Sequence, residues 1–248
     1  MKTTFLIYLH FLVFFLVTQA QAQSLREPYE YPIKPGMEVW KSFKSHSQMV
    51  EACKIPTDLL KNMATSTLIS AYLDYPLLMD MTAFNSLQEG FEQVQQNSNA
   101  LSELLTRSDT PSECLIYYKN QSIDSVKLAQ SPSIQGTLAF KMMALELLLA
   151  EKSILQKITK NDKDLLIKNT LLKLSEKKSN PDIYGLFGCS TTLLLLARLL
   201  DNINYAPFER EIVENKKLKF FLEKAMFLDT SSPTIIEENS KVYLLKHN

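Results

Sequence analysis

Leu193-Leu194-Leu195-Leu196-Ala197-Arg198-Leu199-Leu200 (LLLLARLL) is apolar on every face of a helix. A helix of that kind belongs in a protein core or in a membrane. Ser190, Thr191 and Thr192 precede it and Arg198 interrupts it, so it is a poor spanning segment and a good core helix. A second segment, Leu138 to Leu155, repeats the pattern with Phe140, Met142, Met143, Leu145, Leu147, Leu148 and Leu149, broken by Lys141, Glu146, Glu151 and Lys152. Two interior helices need others around them.

The rest of the chain supplies those others. Five glycines against ten prolines, with almost no alternation of polar and apolar residues, argue against sheets, which need turn glycines and a period of two. Pro56, Pro76, Pro111, Pro132, Pro181, Pro207 and Pro233 fall between apolar-periodic segments, where proline fits the first helical turn. Thr110-Pro111-Ser112-Glu113 reads as a capped start, with Thr110 as the cap. Asn180-Pro181-Asp182, Ser131-Pro132 and Ser232-Pro233 read similarly. The spacing predicts helices near 38–53, 57–63, 66–74, 79–96, 99–107, 111–120, 133–158, 162–178, 184–202 and 207–227, then a helix or strand-like tail. In the 162–178 helix, Lys163, Lys168 and Lys173 are expected to face out.

The expected fold is all-α: an antiparallel helical array, solenoid-like in the manner of degenerate HEAT or armadillo repeats, or else an irregular helical bundle. No fixed repeat period is present. Residues 23–36 read as an extended segment and 37–230 as one all-α domain, with lobes 37–130 and 131–230 as the alternative. Residues 231–248 read as a C-terminal tail.

Residues 1–22 read as a signal peptide. Lys2 gives the positive start, Phe5 to Val17 the apolar run, and Ala20-Gln21-Ala22 the small-x-small cleavage pattern. That run of about 13 residues is short of the roughly 20 needed to span a bilayer. The first cysteine is Cys53, far from the leader, so a lipoprotein is not expected. An exported protein, periplasmic or secreted, is the reading, with no transmembrane segment after cleavage.

The chain holds 27 Lys+Arg and 27 Asp+Glu; losing Lys2 with the leader leaves 26 against 27, a net charge of −1. That balance disfavours nucleic acid and anionic membrane as partners. Cys53, Cys114 and Cys189 lack metal-ligand spacing and read as three buried thiols or as one disulfide plus a free thiol. No cofactor or metal motif is recognisable. Outside the leader only His46 and His247 remain, which counts against histidine-dependent hydrolases.

A carboxylate enzyme needs no histidine. Asp74 and Asp80 flank Tyr75-Pro76-Leu77-Leu78, and Glu146 lies among leucines, where it would be desolvated unless rotated to solvent or paired with Lys141 or a neighbouring helix. Arg198 is expected to pair with Asp201 or a facing helix. Gly185-Leu186-Phe187-Gly188 lacks the strand and Lys-Ser/Thr ending of a phosphate loop, and reads as a loosened helix start or a close-packing site. Aromatic residues supply the other hint. Trp40, Tyr72 and Tyr75, with Glu146, are the candidate lining of a ligand groove.

Trp40-Lys41-Ser42-Phe43, then Ser47 to Pro56 (SQMVEACKIP), Met63 to Leu68 (MATSTL), Tyr75-Pro76, Gly90-Phe91, Asn99 and Leu104 to Asp109 (LLTRSD) together resemble an uncharacterised family of exported all-helical proteins of Gram-negative bacteria. The likeness covers roughly residues 40–118. It implies export and a helical fold, and supplies no catalytic residues. The expected function is therefore a non-enzymatic binding or interaction module of the cell envelope. Its expected partner is another exported protein, a peptide or a glycan. The alternative is an unfamiliar carboxylate-dependent periplasmic enzyme built on Glu146 or Asp80.

Overall fold

The computed structural model describes residues 28–129 and 131–247. The expected leader lies outside them. Among the described residues the structure is all-α, with no strand. The helices are α1 (Glu38–Ser42), α2 (His46–Ala52), α3 (Thr57–Asn62), α4 (Thr65–Leu73), a 3-10 helix (Leu78–Ala83), α5 (Leu87–Asn97), α6 (Asn99–Thr106), α7 (Thr110–Asn120) and α8 (Ile123–Lys127). They continue with α9 (Pro132–Leu149), α10 (Lys152–Leu155), α11 (Lys160–Lys178), α12 (Pro181–Asn202), α13 (Ala206–Glu214), α14 (Lys216–Lys224) and α15 (Ser231–His247).

Four segments expected as single helices are divided: the one expected near 133–158 breaks between Leu149 and Lys152 with no side-chain cap, and the other three break at a capping side chain. Ser45 accepts from the Gln48 amide and starts α2 after a break at Phe43. Ser86 accepts from the Glu89 amide and separates α5 from the 3-10 helix. Asn215 accepts from the Lys217 and Leu218 amides and separates α14 from α13. Each cap satisfies amides that an uninterrupted helix would have bonded to preceding carbonyls.

Three expected caps are corrected. Thr110 lies inside α7, and its buried hydroxyl donates to the Leu104 carbonyl. Asn180 makes no cap bond and donates to the Glu176 carbonyl instead. At the last helix Asp229, rather than Ser232, takes the capping role by accepting from the Ser232 amide. Ser131 does cap α9, through the Ile134 amide.

α12 is the hub. It packs against α9 and α11 along most of its length and also meets α15, α14, α13 and α10. Leu193, Leu194, Leu195, Leu196, Ala197, Leu199 and Leu200 are all buried, as Leu145, Leu147, Leu148 and Leu149 of α9 are. Burial is worth roughly 1.5–3 kcal/mol for each such leucine. By length and composition α12 could cross a membrane, but 72% of that window is buried inside the fold.

The N-terminal helices join the same core. α4 packs on α6, α7 and α9, while α5 packs on the 3-10 helix, α6 and α14. One apolar cluster runs from Tyr31 to Tyr243. A smaller cluster of Ile123, Val126, Ala139, Met142 and Tyr184 lies beside it. The C-terminal segment is the helix α15, with Ile236 and Tyr243 in the main core.

Gly90 permits the closest backbone approach. A Cβ there would lie 1.9 Å from the Met81 carbonyl oxygen, so α5 meets the 3-10 helix through a bare Cα. Asn99 exchanges two hydrogen bonds with the Ile55 backbone, at 2.7 and 3.1 Å. Arg107 donates to the Leu60 and Met63 carbonyls at 2.8 and 2.6 Å. Gly90, Asn99 and Arg107 thus fasten the N-terminal helices together.

Candidate functional site

Glu146 occupies the centre of the molecule. It projects from α9 and is fully buried, as is Lys177 from α11. The Lys177 ammonium lies 2.9 and 2.8 Å from the two Glu146 oxygens, and also donates to the Gly188 carbonyl and Thr192 Oγ1. Tyr118, Thr191 and Thr192 donate their hydroxyls to the same carboxylate at 3.0, 2.6 and 2.9 Å. Burial, then the Glu146 charge, pushes the Tyr118 hydroxyl well above its usual range. Both oxygens of the acid are engaged, and its side chain is sealed from solvent.

The four candidate groove residues do not share a groove. Tyr72 is fully buried and donates to the Ala144 carbonyl at 3.1 Å. Glu146 is sealed as described. Trp40 is half-buried against Phe43, with ring centroids 5.9 Å apart. Tyr75 alone lines a surface depression, beside Asp74, Pro76, Phe140 and Lys141. Lys141 pairs there with Asp74 and not with Glu146.

His46 Nε2 lies 2.7 Å from Asp80 Oδ2, joining α2 to the 3-10 helix at the surface. Cys53, Cys114 and Cys189 are all free and buried. Burial, with a smaller contribution from Asp80, pushes the Cys53 thiol up to about 11. Among the described residues no group of histidine, cysteine and acidic side chains could hold a metal. Lys173 is a correction: it is buried, donates to the Gln121 carbonyl and lies 5.0 Å from the Tyr118 ring centre, while Leu165 and Leu172 of the same helix face out.

Two clefts remain. A polar one of about 450 Å³ is lined by Gln88, Glu92, Glu151, Arg198, Asp201 and Lys219, among others. Arg198 faces other helices rather than Asp201. Its guanidinium donates to the Leu222 and Ala150 carbonyls, Glu151 and Gln88. With its N–H groups spent inside the fold, it has none to offer an anion.

The second cleft is apolar, about 400 Å³, and lies between the 3-10 helix with its exit loop, the start of α12 and the loop after α14. Its lining includes Met81, Phe84, Leu87, Leu186, Phe187, Ala225, Met226 and Phe227, and no charged side chain. Two backbone positions with positive φ border it. Gly185 has φ 53° and ψ −161°, which turns α12 and carries Leu186 and Phe187 outward. Ala225 has φ 55°, a conformation that costs a residue with a Cβ about 1–2 kcal/mol. Strain at a binding surface is a known association.

Sequence reasoning passes over this cleft. Its only signal is Gly185 before two bulky apolar residues, a pattern that reads equally as a packing feature. No family model, curated protein or solved structure matches the chain.

Proposed function

We propose that the chain is an exported, non-enzymatic interaction module of the cell envelope, and that the apolar cleft receives bulky apolar side chains of a protein or peptide partner. The leader-like residues 1–22 support export. The carrying observation is the exposure of Leu186 and Phe187, 91% and 52%, at the lip of an uncharged cleft. Leaving such side chains in water is unfavourable, so a surface of this kind marks an interaction site. A glycan is less suited, because sugars need many polar partners and this lining offers Thr82, Asn85, Ser86 and Ser190.

The carboxylate-enzyme alternative loses its first candidate, since Glu146 is neutralised by Lys177 and unreachable. Asp80 is already bonded to His46.

Selection of displayed random peptides on protein purified from the full sequence tests the proposal. Enriched peptides should carry two or more large apolar residues. Phe187→Asp should weaken their binding at least tenfold while leaving the melting temperature within about 2 °C, as expected for an exposed position. No enrichment, or binding indifferent to that change, would overturn the assignment.

A further inference from the structure

The cleft and its lip have a geometry that admits one partner in particular. Leu186 stands 91% exposed on the rim of the very depression it lines, and Phe187, Phe84 and Met226 around it are 52%, 41% and 37% exposed. Leu228, next to the lining residue Phe227 in the same loop, is 50% exposed. Projection and depression therefore share one face. Resting on the cleft as the interaction site, we infer that its occupant is a second copy of this chain, related by a twofold axis, each copy inserting Leu186 into the other's cleft.

Three observations converge on this. A twofold contact brings a patch against itself, so it must be self-complementary, and a knob beside a hole is the simplest such surface. Like charges facing across the axis would oppose pairing, and no charged side chain lines this cleft. Size is the third. Taking roughly 200 Å² for each fully exposed side chain of this bulk, the five residues leave about 500 Å² of apolar surface per copy. The exposed rim residues Thr82 and Asn85 add to it, bringing the face toward the ~800 Å² per partner of a stable interface.

The Gly185 turn supplies the projection. Its backbone has open space around the Cα, so the unusual φ is not forced by crowding there. Within α12 an ordinary helical conformation at that position would redirect Leu186 and Phe187 relative to the cleft. Just beyond, Lys177 bonds the Gly188 carbonyl, and Ser190 donates to the Phe187 carbonyl at 2.6 Å. The lip is thus built on an anchored support.

Analytical ultracentrifugation of the purified protein, from about 1 µM to about 500 µM, tests the inference. The wild type should show a concentration-dependent monomer–dimer equilibrium. Leu186→Asp and Met226→Asp should each weaken it at least tenfold. Val213→Asp, on an exposed site of α13 away from the cleft, should leave it unchanged, and matched melting curves should verify folding. A wild type that stays monomeric throughout overturns the inference, and so does a dimer indifferent to both cleft substitutions. Peptides selected on the cleft separate the two readings: a dimer through this face should dissociate when they saturate it. A monomer that binds them leaves the cleft assignment standing without the dimer, whereas a monomer that binds none removes both.

Discussion

At the scale of single residues the buried pair Glu146–Lys177 governs the interior. Two charges removed from water each carry a large desolvation cost, offset here by their contact and by three hydroxyls and a carbonyl. Removing one partner strands the other. Lys177→Met should destabilise the fold by about 3–5 kcal/mol, whereas Glu146→Leu with Lys177→Met should recover a substantial part of that loss. Urea titration of the two singles and the double measures the coupling; additive effects would contradict it. The thiols respond to the same burial. Desolvation raises Cys53, Cys114 and Cys189, so a thiol reagent at about pH 8 should label none of them rapidly until denaturant is added. Rapid labelling of folded protein would show a reachable thiol. Glu146 is legible in the sequence as an acid in an oily helix, but its partner is not. The two lie 31 positions apart, and Lys173, expected to face out, turns inward in the fold as Lys177 does.

At the scale of elements, proline-marked starts and apolar periodicity reveal most helices, because both act locally. The breaks escape notice where a cap outweighs a continuing apolar pattern. Ser86-Leu87-Gln88-Glu89 has the form of a capping box, and Asn215 before Lys216-Lys217-Leu218 is a cap in plain view. Their strength depends on how the flanking helices pack, which short-range pattern does not encode. The junction of α5 with the 3-10 helix is the sharpest example, since it depends on one missing side chain. Gly90→Ala must push the Met81 carbonyl away and should cost roughly 3 kcal/mol, read as a lowered urea midpoint. Gly185→Ala meets no neighbouring atom, so its cost should be the backbone conformation alone, about 2 kcal/mol. Equal losses for the two would contradict the distinction between crowding and strain.

At the scale of the whole molecule, the core keeps its tyrosines neutral. Burial raises Tyr31, Tyr72, Tyr75, Tyr118 and Tyr184 above the usual value near 10. Their contribution to stability is complete below about pH 10. It declines as pH rises past that value, because the unfolded chain ionises first, with a slope of about 1.4 kcal/mol per pH unit per tyrosine. Lys173, lowered chiefly by its burial, opposes this as a single group. Urea midpoints should therefore fall between about pH 9.5 and about pH 11, and tyrosinate absorbance from the buried set should appear together with unfolding. Early absorbance in folded protein would place those hydroxyls in water. Arg198 carries a further consequence for how the chain reaches this state. It ties Gln88, Ala150 and Glu151 to Leu222, so contacts offered by residues 88, 150 and 151 stay unfilled until the ribosome has delivered residue 222. Truncation anywhere before residue 222 should then yield material that proteases clear instead of a half-finished but durable fragment.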